Sequence, residues 1–345
     1  MSKVDIHDVA EEAEVSPATV SRVVNQSAKV SKAKEKRVRE AINKLGYKPN
    51  RFARSLRKQE SNVIGVIVPD ISNPFFASLV RGAESAVRET GKSITIYDTN
   101  NQIRQASDYV KLIIQEKVQG ALYITSSGKK EIVQKLVDAG ILVVLVDRIL
   151  GEPDLSLPNV VADNLQGSIA ITNHLLDQGC KSIGYIRGPK GISTASERYN
   201  GFSLALERGG FKKRSEFIKT GDYSFRSGKE AAKEFLDEFD EQGLPDGILA
   251  ANDLMAVGAM REFEKAGVNI PGELAIGGFD DILLSKLVNP SLTTVRSPAY
   301  EMGRRAVKLM VDNQNSHDQR ERDQIKKLML ETTLIVRESS DWSSG

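Results

Sequence analysis

A chain of 345 residues has room for two or three domains of roughly 100–200 residues each, and ample length to bury a core. It is 40% apolar and 27% charged, as ordinary globular proteins are, and no uninterrupted apolar run of about 18 residues is present, which excludes a membrane-spanning helix. One cysteine, Cys180, excludes an internal disulfide, and His7, His174 and His317 have no metal-ligand spacing, so no metal site is expected.

The first residues, MSKVDIHDVAEEAEV, carry acids where a secretory leader would be apolar. The chain is therefore expected to stay in the cytoplasm, without a membrane partner. The net charge of +2 hides an asymmetry. Residues 1–60 hold 14 Lys and Arg against 8 Asp and Glu; the remainder holds 34 against 38. A basic head on a mildly acidic body fits a polyanion partner for the head, although a solvated basic face would look the same.

In the head, Ile6, Val9, Ala10 and Ala13 recur at helical spacing, predicting a short helix over 6–13. Ser16 is a good N-cap and Pro17 suits the first helical position, so a second helix starts there as PATVSRVVN, with Val20, Val23 and Val24 inward. A third helix, capped by Ser31, runs from Lys32 to Leu45 and ends at Gly46. Two helices joined by a tight turn and braced by a third form a helix-turn-helix, which places its second helix in the major groove of DNA. Pro17, Ala18, Ser21 and Arg22 would then face base edges, with Arg22 able to bond guanine with both arms of its fork. Ser16, Thr19, Asn25 and Ser31 complete the surface; hydroxyls and a carboxamide of this kind bond phosphates.

The segment IHDVAEEAEVSPATVSRVVN resembles the N-terminus of the lac-repressor family of bacterial transcription regulators, and LGYKPNRFARSLR resembles that family's hinge. The resemblance implies a short helix over 50–58 in the DNA-bound dimer, with Asn50 as its cap and Ala53 close to the groove. It also implies that Leu56 wedges between base pairs in the minor groove, where an apolar wedge favours sequences that kink cheaply. Glu14 departs from the family pattern, which has glycine there.

The body reads as alternating strands and helices. Apolar runs at 63–68, 93–97, 120–124 and 142–146 are separated by helices at about 74–90, 104–116 and 130–139. After residues 160–162 the pattern restarts. Runs at 183–186, 247–250 and 275–278 are interleaved with helices near 165–178, 195–208, 227–239 and 253–266. Runs at 293–296 and 328–336 and a helix at 299–312 finish the chain. This predicts an α/β body of two doubly wound halves with a cleft between them, behind an all-α head. The expected divisions are a helix-turn-helix at 1–48, a hinge at 49–61, a body at 62–337 and a tail at 338–345. Within the body, one half is expected at about 62–160 with 292–320 returning, and the other at 161–291 with 321–337. No GxGxxG or phosphate-binding loop opens a helix, so no cofactor is expected.

The loops at the strand ends carry Asn73-Pro74-Phe75-Phe76, Asp147-Arg148, Arg198, Asn252-Asp253 and Asp280-Asp281. As a set they resemble the effector domain of the same family and, through it, the periplasmic sugar-binding proteins, those for ribose most of all. Carried over, Asn73, Asp147, Arg148, Arg198, Asn252 and Asp280 would bond sugar hydroxyls. Phe75 and Phe76 would stack on the ring, with Tyr223 a weaker third aromatic. The chemistry fits: carboxylates accept, guanidinium forks donate, carboxamides do both, and apolar C–H faces suit aromatics. Each residue also has a plainer role. Asn73 is a natural helix cap, the two phenylalanines are natural core, Asp147-Arg148 forms an ion pair by itself, and either Asp280 or Asp281 can cap a turn.

A glycosidase would need a poised general acid; Arg148 and Arg198 are expected to hold Asp147 and Asp280 ionised, which argues against any enzyme and any catalytic residue. A secreted sugar carrier would need a leader and no helix-turn-helix. The expectation is a homodimeric repressor of double-stranded operator DNA answering to a small sugar, ribose foremost. Regulators answering to another sugar, to a purine, or to a phosphorylated carrier protein remain as alternatives.

Overall fold

A computed structural model describes residues 4–25, 29–47, 61–124, 130–150, 157–238, 243–315 and 327–341. The chain forms two compact units, residues 1–61 and 62–345.

The first unit holds α1 (Ile6–Glu12), α2 (Pro17–Asn25) and α3 (Lys32–Leu45). Asp5 starts α1 with a reciprocal cap: its carboxylate accepts from the His7 and Asp8 N–H groups, and Asp8 accepts from the Asp5 N–H. The Ser16 hydroxyl accepts from the Thr19 N–H at 3.3 Å, which sets the start of α2. Val9, Ala10, Ala13, Val20, Val23, Val38 and Ala41 close a small core, and Val24 is half-buried beside it. Glu14, in the turn between α1 and α2, takes φ 49°, and its carboxylate lies 3.3 Å from Arg37. Ser31 stands at the N-cap of α3 as expected, yet its side chain makes no capping bond, so that helix is stopped only at its far end, by Gly46 at φ 63°.

The second unit contains two six-stranded sheets. The first is built from β1 (Val63–Val68), β2 (Ser93–Asp98), β3 (Gly120–Tyr123), β4 (Leu142–Val146) and β5 (Asn159–Ala162). Between them run α4 (Pro74–Glu89), α5 (Ile103–Gln115) and α6 (Lys130–Asp138). The second is built from β6 (Ile183–Arg187), β7 (Ile218–Thr220), β8 (Gly247–Ala250), β9 (Ala275–Asp280) and β10 (Thr293–Arg296). It carries α7 (Asn164–Asp177), α8 (Ser193–Arg208), α9 (Phe225–Asp237), α10 (Asp253–Lys265) and the single turn α11 (Leu284–Leu287). Both sheets repeat one spatial order, second strand, first, third, fourth, fifth, and all ten of these strands pair in parallel. That order leaves a crevice beside the first strand of each sheet, outside the strands' C-terminal ends. The central strands are largely apolar on both faces, as sheets covered by helices must be; β2 and β7, at the edges, are not.

The chain's return differs from the expectation. β10 pairs with β9 and stays in the second half, so 292–297 does not go back. The helix α12 (Ala299–Asn315) does go back and packs on α4. Glycines permit that approach: a Cβ at Gly303 would fall 2.0 Å from the Leu79 carbonyl oxygen, and one at Gly82 would fall 1.9 Å from that of Tyr300. The run expected as one strand at 328–336 is two. β11 (Lys327–Leu330) adds to the first sheet beside β5, and β12 (Thr333–Ile335) adds antiparallel to β10 in the second. The halves are thus joined by three crossings, near 163, 298 and 331. The short β7, with only Lys219 buried, is too brief for its pattern to show. Residues 338–341 are no loose tail: Ser339 and Ser340 are fully buried. Among the described residues no helix is long and apolar enough to cross a membrane.

Candidate functional site

In the first unit, the outer face of α2 presents Ala18 and Arg22 exposed, with Pro17, Thr19 and Ser21 half-buried beside them. Ser16 and Thr19 hydroxyls lie 3.0 Å apart, so the cap is tied to the helix it starts. Ser31 is exposed. The expected hinge residues Asn50, Ala53 and Leu56, and the side chain of Asn25, lie outside the described residues.

In the second unit, a cleft opens between the two sheets, lined by ten residues. The structure brings together there all nine candidates expected from the strand-end loops, and adds Thr194. Asn73, Phe75, Phe76, Asp147 and Arg148 come from the first half; Thr194, Arg198, Tyr223, Asn252 and Asp280 come from the second. Asp280 is the last residue of its strand, and the others lie in the loops and first helical turns that follow strand C-terminal ends.

Several plainer roles coexist with placement in the cleft. Asn73 caps α4, its side-chain oxygen accepting from the Phe75 N–H at 3.0 Å. Asn252 caps α10 in the same way through the Met255 N–H, and its amide donates to the Tyr223 carbonyl at 3.0 Å. Phe75 and Phe76 meet edge to face, with ring centres 5.2 Å apart, and belong both to the first half's core and to the cleft wall. Asp147 and Arg148 pair at 3.3 Å, buried rather than on the surface. The Arg148 guanidinium faces the Phe76 and Tyr223 rings at 5.4 and 5.7 Å. Gly188 makes room for Tyr223, since a Cβ there would fall 2.6 Å from the ring.

Arg198 is held on every side. It donates to Asn164 Oδ1 at 2.9 Å and to the Ala251 carbonyl at 2.7 Å, pairs with Asp280 at 3.1 Å, and lies 3.8 Å over the Phe279 ring. Asn164 is in turn fixed by donating to the Ala162 carbonyl and to Glu197. Sequence reasoning missed Asn164 and Thr194. The available signal was position: each is polar, buried and in the first turn of a helix that follows a strand.

Three cleft residues other than glycine, Asp147, Tyr223 and Asp280, take positive φ (67°, 73° and 115°). Such backbone costs about 1–3 kcal/mol per residue and persists only where its surroundings over-determine it. The charge state also departs from expectation. Burial pushes the Asp147 carboxyl up, against the pull of Arg148 and Arg198. Burial likewise pushes Asp280 up, to about 8, against Arg198 and reinforced by Asp253 and Asp147. Desolvation outweighs the neighbouring guanidiniums, so the arginines do not simply hold both acids ionised. Asp147 Oδ1 is buried with no hydrogen-bond partner among the described residues, an acceptor suited to a hydroxyl donor.

Comparison with known proteins places both units. Residues 5–50 match the model of bacterial regulatory proteins of the lacI family, and residues 172–340 match a periplasmic binding protein-like domain. The chain is 36% identical to the ribose operon repressor of Halalkalibacterium halodurans over 342 residues, 97% of this chain and 96% of that one. The chain belongs to the lacI family. Another relative, the transcriptional repressor CytR of Escherichia coli K12, is 36% identical over 305 residues, 88% of each chain. The solved lac repressor dimer bound to operator and an anti-inducer shares the fold, at TM-score 0.85 and 24% identity over 98% of this chain and 99% of that one.

Membership in the lacI family settles what the titration state leaves open. A carboxyl raised to about 8 is what a general acid would need, yet the relatives are transcriptional repressors and not enzymes. The lacI-family chain is therefore a transcriptional regulator.

Proposed function

We propose that the protein is a sequence-specific repressor whose hold on operator DNA is set by a small sugar, D-ribose foremost, bound between the halves of the second unit. The observation that carries this reading is the cleft itself: two buried guanidiniums, two buried carboxylates, two carboxamides and an aromatic pair converge from both halves. A sugar needs donors and acceptors around its edge and apolar contact on its faces. The full-length relation to a ribose operon repressor supports ribose, while CytR is as identical over less of its length.

Ribose held by residues of both halves favours the closed cleft, and only such differential affinity can shift the equilibrium. The chain leaves the head through residues 49–61 and enters β1 at Val63, so closure acts on the hinge and releases operator. The reading includes a homodimer, each α2 reading one half-site. Leu283 and Leu287, 67% and 69% exposed, supply apolar surface for it.

Calorimetric titration of the full chain with pentoses, hexoses, nucleosides and purines tests the ligand. Ribose is expected to bind most tightly; a purine or hexose binding in its place would replace the effector and leave the DNA reading standing.

A further inference from the structure

The turn that carries Asp280 is gripped from outside the cleft. Asp280 and Asp281 follow one another at φ 115° and 56°, so two consecutive side-chain-bearing residues lie in backbone that glycine prefers. Asp281 does not line the cleft, and its side chain is 3% exposed. Its carboxylate is clamped between two arginines: Arg337 reaches Oδ1 at 2.5 Å and Arg296 reaches Oδ2 at 2.7 Å. Arg337 is itself pinned. Its other arm donates to the Leu292 carbonyl at 2.7 Å, and its N–H donates to the Thr293 hydroxyl at 2.8 Å. On the turn's other side, Asp253 accepts from the Ile282 N–H at 2.9 Å and the Ser285 hydroxyl at 2.7 Å.

Arg337 belongs to the chain's last described segment. That segment is sewn to the second sheet by Ser339, which donates to the Ile276 carbonyl and accepts from the Thr293 N–H. Ser340 adds bonds to Thr293 and His174, and Glu338 accepts from Ser291. The strap therefore ties β9 to β10 beneath the turn, with Arg337 as the side chain that reaches it.

We infer that the Arg337–Asp281 pair is a positioning device for effector recognition: the C-terminal strap holds the turn in the backbone state that aims Asp280 at the ligand. Without the clamp, a strained turn relaxes and Asp280 leaves its alignment with Arg198. The inference rests on the sugar reading of the cleft. It requires that the strap's other anchors matter for stability, and Arg337 and Asp281 for the ligand.

The test is titration of ribose into the full-length wild type and the variants Arg337→Ala, Arg337→Lys, Asp281→Asn and Glu338→Ala, with thermal unfolding and DNA binding of each. Arg337→Ala and Asp281→Asn are expected to weaken ribose binding by about tenfold or more, the effect of some 1.4 kcal/mol of lost alignment. Arg337→Lys is expected to recover part of the affinity, because an ammonium still reaches Asp281 though it lacks the fork. Glu338→Ala is expected to lower the unfolding midpoint with ribose affinity unchanged. DNA binding without ribose is expected to persist in all. If Arg337→Ala does not fold, Asp281→Asn gives the same reading alone. Wild-type affinity in Asp281→Asn, or an equal loss in Glu338→Ala, overturns the inference. Failure of the wild type to bind any sugar overturns the cleft reading, and this inference with it.

Discussion

Asp280 couples protonation to both stability and ligand affinity. Its folded value of about 8 lies above the ordinary 3.8, so between those limits the folded chain keeps a proton that the unfolded chain releases. This group's contribution to stability is therefore full below about pH 4 and lost as pH rises through about 8. On the proposed reading a sugar hydroxyl donates to Asp280 and favours the ionised form, so ribose binding is expected to expel the proton. Affinity is expected to rise from pH 6 to pH 9, and the Asp280→Asn profile to flatten around pH 8 at a lower affinity. Calorimetry in buffers of different ionisation heat measures the proton released; a pH-independent wild type would contradict the assignment. Arg198→Ala leaves the buried Asn164 Oδ1 and the Ala251 carbonyl without their donor, so it is expected to cost roughly 1–3 kcal/mol of stability per acceptor besides ligand binding. Chemical denaturation measures it.

Among the elements, the turn between α1 and α2 stores a small strain. Glu14 occupies left-handed backbone, which costs a side-chain-bearing residue about 1–2 kcal/mol, and its exposed pairing with Arg37 returns about 0–1 kcal/mol. Glu14→Gly is expected to raise the stability of the first unit by up to about 1 kcal/mol with the DNA contacts of α2 unchanged; melting of the isolated unit would show it. The hinge makes a separate prediction. Leu56→Ala is expected to weaken operator binding by about 1–3 kcal/mol with ribose affinity unaltered, because unstacking a base step is costly and Leu56 is not among the ten residues that line the cleft. Full operator affinity in this variant would remove the wedge.

Most elements were legible because most strands are short apolar runs bounded by turn residues and the long helices are amphipathic. The cleft was legible because its residues follow strand ends, where α/β sheets bind ligands. What stayed hidden depends on pairing, which periodicity does not encode. Nothing in Thr293–Arg296 says which sheet it joins, and 328–336 reads as one run although Glu331-Thr332 divides it between two sheets. Arg337, distant in sequence from Asp281, gave no local signal at all. The charge state of Asp280 was misjudged because sequence shows its arginine neighbours but not the burial that outweighs them.

At the scale of the whole molecule, two functions must communicate through one chain. A basic head that neutralises several phosphates should lose affinity with salt, at roughly one log–log slope unit per phosphate, and the head alone should bind weakly without the second unit to pair it. Linkage makes the coupling reciprocal: operator must weaken ribose binding by the factor by which ribose weakens operator binding. Arg148→Ala and Asp280→Ala should keep operator affinity and lose the response. The most direct test is fluorescence anisotropy of an operator duplex, selected by the protein from random sequence, titrated with the full chain at fixed salt with and without saturating ribose. A loss of affinity between about 5- and 150-fold with ribose is the predicted result; unchanged or tighter operator binding by ribose-saturated protein would contradict the account.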